Sequence, residues 1–170
     1  YANIDGIDTD TCFVEYKDRE EIDKWLLSKY NKLVKNVTDA YEAYDLNQVV
    51  KQVTSFVSDD LSNWYIRRNR NRFWSSELDN SKKAVYITTY EVLTGLCKLC
   101  APIIPYVTEE IYRNLTGEKS VHLSDFPKYD ESLINEEIEV KMDLVRDLIS
   151  TGRFVREETK IKVRQPISEA

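Results

Sequence analysis

Apolar residues recur at three- and four-residue steps along most of the chain, and the steps define helices. Ile22, Trp25, Leu26, Leu33, Val37, Ala40 and Tyr44 share one face of a helix running to about Asp45. Asp18, with Glu21 three residues on, has capping-box spacing and places its start. Behind a cap at Asn47, a second stripe runs through Val49, Val50, Val53, Phe56, Val57, Leu61 and Trp64 at about 100° per residue. A third helix opens at Asn80 or Ser81 and buries Val85, Val92, Leu93, Leu96 and Leu99. In "APIIP" the prolines cannot continue the hydrogen-bond ladder, so Pro102 and Pro105 end that helix and start a short one through Ile111 and Leu115, closed by Thr116 and Gly117. "SVHLSDFPKYD" is a loop, and Leu133, Ile138, Met142, Val145, Ile149 and Phe154 predict a last long helix weakened by Gly152. Four long amphipathic segments with short connections predict an all-α fold, an antiparallel helical bundle. "KIKVRQPIS" alternates like a strand and predicts a short extended C-terminal tail.

Composition agrees with helices: only four glycines and four prolines stand against 42% hydrophobic and 32% charged residues. No apolar run is long enough to span a bilayer and no secretion signal opens the chain, so the expectation is a cytoplasmic protein with no membrane partner. Three cysteines and a single histidine argue against a disulfide framework. Cys97 and Cys100 form a C-x-x-C pair, yet they sit within an apolar helical stripe and lack further ligands nearby, so core packing is the expectation and no metal site. His122 is read as a structural or surface residue. Glu109 with Glu110, and Glu136 with Glu137, look like solvated helix faces. With no glycine-rich phosphate loop and no nucleophile or metalloprotease motif, no catalytic residue and no cofactor are assigned to the chain itself.

The remaining chemistry lies in "NWYIRRNRNRFW". A chain of net charge -6 here gathers Arg67, Arg68, Arg70 and Arg72 within six positions between Trp64, Tyr65 and Phe73, Trp74. Projecting the second stripe forward puts Arg67, Arg68 and Asn71 on the continuation of the apolar face, flanked by Arg70 and Arg72. Intrachain ion pairs with Asp59, Asp60, Glu91 or Glu109 account for Arg67 and Arg68, whereas Arg70 and Arg72 are harder to absorb in this way. Forked donors beside flat rings suit single-stranded RNA, whose phosphates take the donors and whose unstacked bases lie on the rings. A second basic stretch, Arg153, Arg156, Lys160, Lys162 and Arg164, stands against Glu157 and Glu158.

The order of "YANIDG", "DKWLLSKYNKLVKNVTDAYEAYDLNQVV", "DLSNWYIRRNRNRFW", "LCAPIIPYVTEEIYRNL", "SVHLSDFP" and "KIKVRQPIS" resembles the anticodon-binding domain of the isoleucyl-tRNA synthetase family, in its arginine-rich, eukaryote-like branch, over the whole chain. Pieces such as "APIIPYVTEEIY" recur in related class I synthetases, notably the valine family. The resemblance implies a helical bundle that holds the anticodon loop of an isoleucine tRNA. It implies a catalytic domain of the same polypeptide that uses ATP and Mg to attach isoleucine; the signatures of that domain and of an editing domain are absent here. The expected layout is a lead-in over residues 1–18, the helical domain over 19–160 and the start of a truncated C-terminal region over 161–170. Carried onto this chain, the family role falls on Arg67, Arg68, Arg70 and Arg72, as tRNA contacts or support of that surface, with Trp74 a stacking face. Trp64 and Tyr65 pack in the bundle, and Arg153, Arg156, Lys162 and Arg164 form a second group of tRNA contacts. The competing readings are a helical protein–protein interaction module working through the acidic face of residues 130–147, the equivalent valine-family domain, and an autonomous enzyme.

Overall fold

The computed structural model describes Gly6 and residues 12–166; the opening segment of the lead-in and the last four residues of the tail lie outside them. The helices are α1 (Glu21–Glu42), α2 (Leu46–Ser55), a π-helix (Phe56–Ile66), α3 (Arg70–Trp74), α4 (Asn80–Cys100), α5 (Pro105–Thr116) and α6 (Glu136–Glu158). Short 3-10 turns occupy Tyr16–Asp18, Val121–Leu123 and Glu131–Leu133. Among the described residues there is no strand, in keeping with the all-α expectation. Residues up to Asn135 form one compact unit and those from Glu136 onward another.

In the first unit α1 is the hub, packed against α2, the π-helix and α4. Trp25, Leu26, Val34 and Val37 on α1, with Val85, Val92 and Leu99 on α4, are wholly buried. Each such side chain contributes roughly 1.5–3 kcal/mol by leaving water. α4 in turn carries α3 and α5. Pro105 starts α5 and Gly117, at φ 70°, ends it in the left-handed conformation that glycine tolerates best, as the sequence predicts.

At Gly95 on α4 a Cβ would run into the Tyr30 hydroxyl and ring on α1. Gly95→Ala therefore forces Tyr30 out of place and is expected to cost about 1–3 kcal/mol, read as a lower midpoint in urea. An unchanged midpoint would mean that the two helices separate freely there.

Helix caps fall one or two residues from the predicted positions. The capping box of α1 is formed by Glu20 and Asp23, not Asp18 and Glu21, because Tyr16–Asp18 closes its own 3-10 turn first. Asp45, not Asn47, caps α2 by accepting from the Gln48 amide, and Asp79 caps α4 by accepting from Lys82.

The larger departure is in the second stripe. Val50 and Val57 are exposed and Trp64 is half-buried, while Phe56, Asp60, Leu61, Tyr65 and Asn69 face inward. Those inward positions step by four and five residues because the segment Phe56–Ile66 is a π-helix, bonded i to i+5 and wider per turn than an α-helix. A projection at 3.6 residues per turn consequently loses phase. It turns Arg67, Arg68 and Asn71 toward the core, where the protein has Tyr65 and Asn69; all three are exposed.

The second unit comprises α6 and the tail beyond it. Its first turn is acidic, with Glu136, Glu137 and Glu139, and its last turn holds Arg156, a polarity that matches the helix dipole. Lys141 pairs with Glu137 one turn back at 2.6 Å. The helix continues through Gly152 to Glu158. The tail does not take the predicted extended form over its described residues. Lys160 adopts φ 56°, and the Arg156 guanidinium donates to the carbonyls of Lys162, Val163 and Gln165, which winds the segment into a turn.

Candidate nucleic-acid interface

One carboxylate organises the end of the bundle from which the arginine cluster emerges. Asp23, in the first turn of α1, is wholly buried. It accepts from the Glu20 amide at 3.3 Å and from the Tyr65 hydroxyl at 2.6 Å. Arg72 reaches it with both terminal nitrogens, at 2.8 Å each. The remaining Arg72 donors go to Ser81 Oγ (2.9 Å), Asn69 Oδ1 (2.9 Å) and the Ser81 carbonyl (2.7 Å). All five guanidinium N–H groups are thereby used, a degree of saturation that only the planar fork of arginine provides. Glu20 lies 3.2 Å from Nε and also accepts from the Ser81 hydroxyl.

The charges of this node follow from its surroundings. Burial by itself lowers the Arg72 pKa, but the hydrogen bond and charge of Asp23 outweigh it and raise the value above that of a free guanidinium. Burial, reinforced by the Asp23 charge, pushes the Tyr65 hydroxyl well above its ordinary range, so it stays a donor. The expectation that Arg72 is hard to absorb in an ion pair is thus corrected. Its partner is 49 residues back along the chain, outside the acids weighed from the sequence.

Arg67, Arg68 and Arg70 behave differently. All three are exposed, and among the described residues none is paired with a carboxylate. Arg68 lies over the Trp64 ring at 5.5 Å, and Arg70 over the Trp74 ring at 5.4 Å. Trp74 is 56% exposed, while Tyr65 packs in the core. The turn between the π-helix and α3 is held by Asn69, which is buried, donates to the Tyr65 carbonyl at 3.0 Å and accepts from Arg72. The result is a row of three outward cations, two of them resting on aromatic faces, fastened from behind by a fourth.

Arg153, Lys162 and Arg164 of the second group are exposed on α6 and its tail; Arg156 is engaged with the tail carbonyls. The sequence reading missed the roles of Asp23, Glu20, Ser81 and Asn69; Tyr65 packs in the bundle as expected, but its bond to Asp23 was not foreseen. It also missed Arg19, which is buried and bonds Glu91 through both terminal nitrogens at 2.7 and 2.8 Å, fixing the start of α1 to α4. The one local signal for any of them is the three-residue spacing of Glu20 and Asp23, which competes with that of Asp18 and Glu21.

Cys97 and Cys100 are buried free thiols, Cys97 packed with Ala101, Tyr112 and Val121, which agrees with core packing. His122 is exposed. Among the described residues no three His, Cys, Asp or Glu side chains converge to hold an ion. Burial raises the Cys100 pKa from 9.0 to about 11. The thiolate fraction at neutral pH then drops about a hundredfold. The neutral thiol adds stability that is complete below the unfolded value and is lost as pH rises through the folded one. Iodoacetamide is expected to label half-buried Cys12 in the native protein and to reach Cys97 and Cys100 only after unfolding, as peptide mass mapping would show. Equal labelling of all three would contradict this packing.

An all-α bundle ending in a cationic, ring-flanked turn narrows the class of protein. The model of the family described as the anticodon-binding domain of tRNA ligase matches residues 23–170. An isoleucine–tRNA ligase of Clostridium tetani is 44% identical over 99% of this chain and 17% of that protein. Those of Bacteroides thetaiotaomicron and Pyrococcus furiosus are each 40% identical over 98% of the chain, and 15% and 16% of their own lengths. The chain belongs to the family of anticodon-binding domains of tRNA ligases. It spans about a sixth of the length of these curated relatives.

Proposed function

We propose that this chain is the part of an isoleucine–tRNA ligase that holds the anticodon loop of the tRNA. The observation that carries the reading is the row Arg67, Arg68 and Arg70, exposed and, among the described residues, without carboxylate partners, in a chain of net charge -6. Their forks take loop phosphates, and the exposed Trp74 ring offers an unstacked base a face. Arg72 supports this surface from within. Arg153, Lys162 and Arg164 form a second set of backbone contacts, and Arg156 shapes the tail that bears the last two. Residues 1–18 lead in from a catalytic domain of the same polypeptide, 19–160 form the binding domain, and 161–170 begin a further region. Attachment of isoleucine, with ATP and Mg, belongs to the catalytic domain in the cytoplasm. This chain's described residues present no ligand set that fits the ion, and no step of that reaction is assigned to them.

The test is binding of anticodon stem-loops carrying isoleucine or valine triplets, followed by anisotropy at two salt concentrations. The isoleucine stem-loop should bind more tightly, and its affinity should fall by about 0.7 log units per log unit of salt for each phosphate contact. Equal affinity for the two, or affinity indifferent to salt, would overturn the reading.

A further inference from the structure

A separate cleft of about 430 Å³ opens between α1 and the helix formed by α2 and the π-helix. Its size lies within the range of ligand clefts, roughly 300–1,000 Å³. Lys29 and Lys32 line it from α1, and Lys51 from α2. Asn36, Gln48 and Gln52 add three side-chain amides, and Leu33 and Phe56, both largely buried, give an apolar floor. The one carboxylate in the lining, Asp60, lies low with Lys29 3.9 Å away. Three cations against one anion make the cleft positive in a chain whose net charge is -6.

We propose that this cleft binds one nucleotide of single-stranded RNA, its base over Leu33 and Phe56 and its phosphate between Lys32 and Lys51. The division of labour follows from the lining. Lysines on opposite walls grip a phosphate as point charges. Lysines alone would serve any polyanion; amides carry a donor and an acceptor on one group and match the Watson–Crick edge of a base. The apolar floor suits a ring face and has no use to a bare phosphate. The inference rests on the proposed RNA-binding function and adds a second, base-reading contact to it.

The experiment compares the 170-residue chain with Lys32→Gln/Lys51→Gln and with Gln48→Ala/Gln52→Ala, using the isoleucine anticodon stem-loop, thermal melts as folding controls, and side-chain amide NMR signals. Each lost phosphate contact costs about fivefold in affinity at 0.1 M salt. The site holds a single phosphate, so the lysine pair should bind about fivefold more weakly, with a slope reduced by about 0.7. The amide signals of Gln48 and Gln52 should shift when RNA is added to the unaltered chain, and Gln48→Ala/Gln52→Ala should weaken binding while keeping the slope. Should the lysine pair fold poorly, Lys51→Gln alone, at an exposed position, should still show part of that loss, about twofold or more. Full affinity and slope in the lysine variants would overturn the cleft and leave the proposed function standing. Weaker binding with unmoved amide signals would reduce it to a charged surface and overturn the nucleotide site. No RNA binding by the unaltered chain would sink both readings.

Discussion

Replacing Arg72 by Ala is expected to destabilise the protein by about 3–5 kcal/mol. The loss does not come from the worth of one surface ion pair, which is typically below about 1 kcal/mol. It comes from leaving Asp23, a wholly buried carboxylate, without the guanidinium bonded to it and with two of its hydrogen bonds gone. For a chain of this size that corresponds to a melting temperature lower by roughly 6–20 °C. Arg72→Lys keeps the charge but offers three donors where five are in use, so it should fall between the two. Removing both charges, as in Asp23→Leu with Arg72→Met, should recover part of the loss, because no uncompensated ion remains inside. A melting temperature for Arg72→Ala within a degree of the unaltered protein would show that the node is dispensable. The same result would detach Arg72 from the turn that carries Asn69 and the outward arginines.

The opposite signature is expected for Arg67→Gln/Arg68→Gln/Arg70→Gln. These side chains are exposed and pair with no carboxylate among the described residues, so the melt should move by no more than about 0.5 kcal/mol per site. Affinity for an anticodon stem-loop should instead drop by roughly a hundredfold at 0.1 M salt, and the salt slope should flatten by about 2. Glutamine keeps much of the side-chain length and some hydrogen bonding while deleting the charge, which isolates the phosphate term from packing on Trp64 and Trp74. Together the two variants separate holding the surface from being the surface. If the triple variant melts lower and binds as before, the roles assigned to Arg72 and to its three neighbours are the wrong way round.

Much of the helical architecture is legible along the chain because it depends on neighbours a few residues apart. The stripes of α1 and α4, the proline start of α5 and its glycine stop all arise from local spacing and backbone preference. So does the packing of Cys97 and Cys100, since two small apolar groups on a buried stripe need no further partner. The caps were displaced by a residue or two, because several acids compete at each helix start and the flanking turn decides which one wins.

The candidate site was legible only as a charge anomaly. The amino-acid sequence by itself determined that four arginines crowd beside aromatic rings in an acidic, helix-rich chain, and that resemblance in motif order extends over its length. It could not say which arginine turns inward. That depends on helical phase, and the π-helix Phe56–Ile66 shifts the phase, so Tyr65 and Asn69 take the inward positions that an α-helical count assigns to Arg67, Arg68 and Asn71. It depends also on Asp23 and Ser81, which are distant in the chain and meet Arg72 only where the ends of α1 and α4 come together. Only the tertiary structure decided that one arginine fastens the surface and three present it, because pairing a charge in the interior requires partners that no local pattern places.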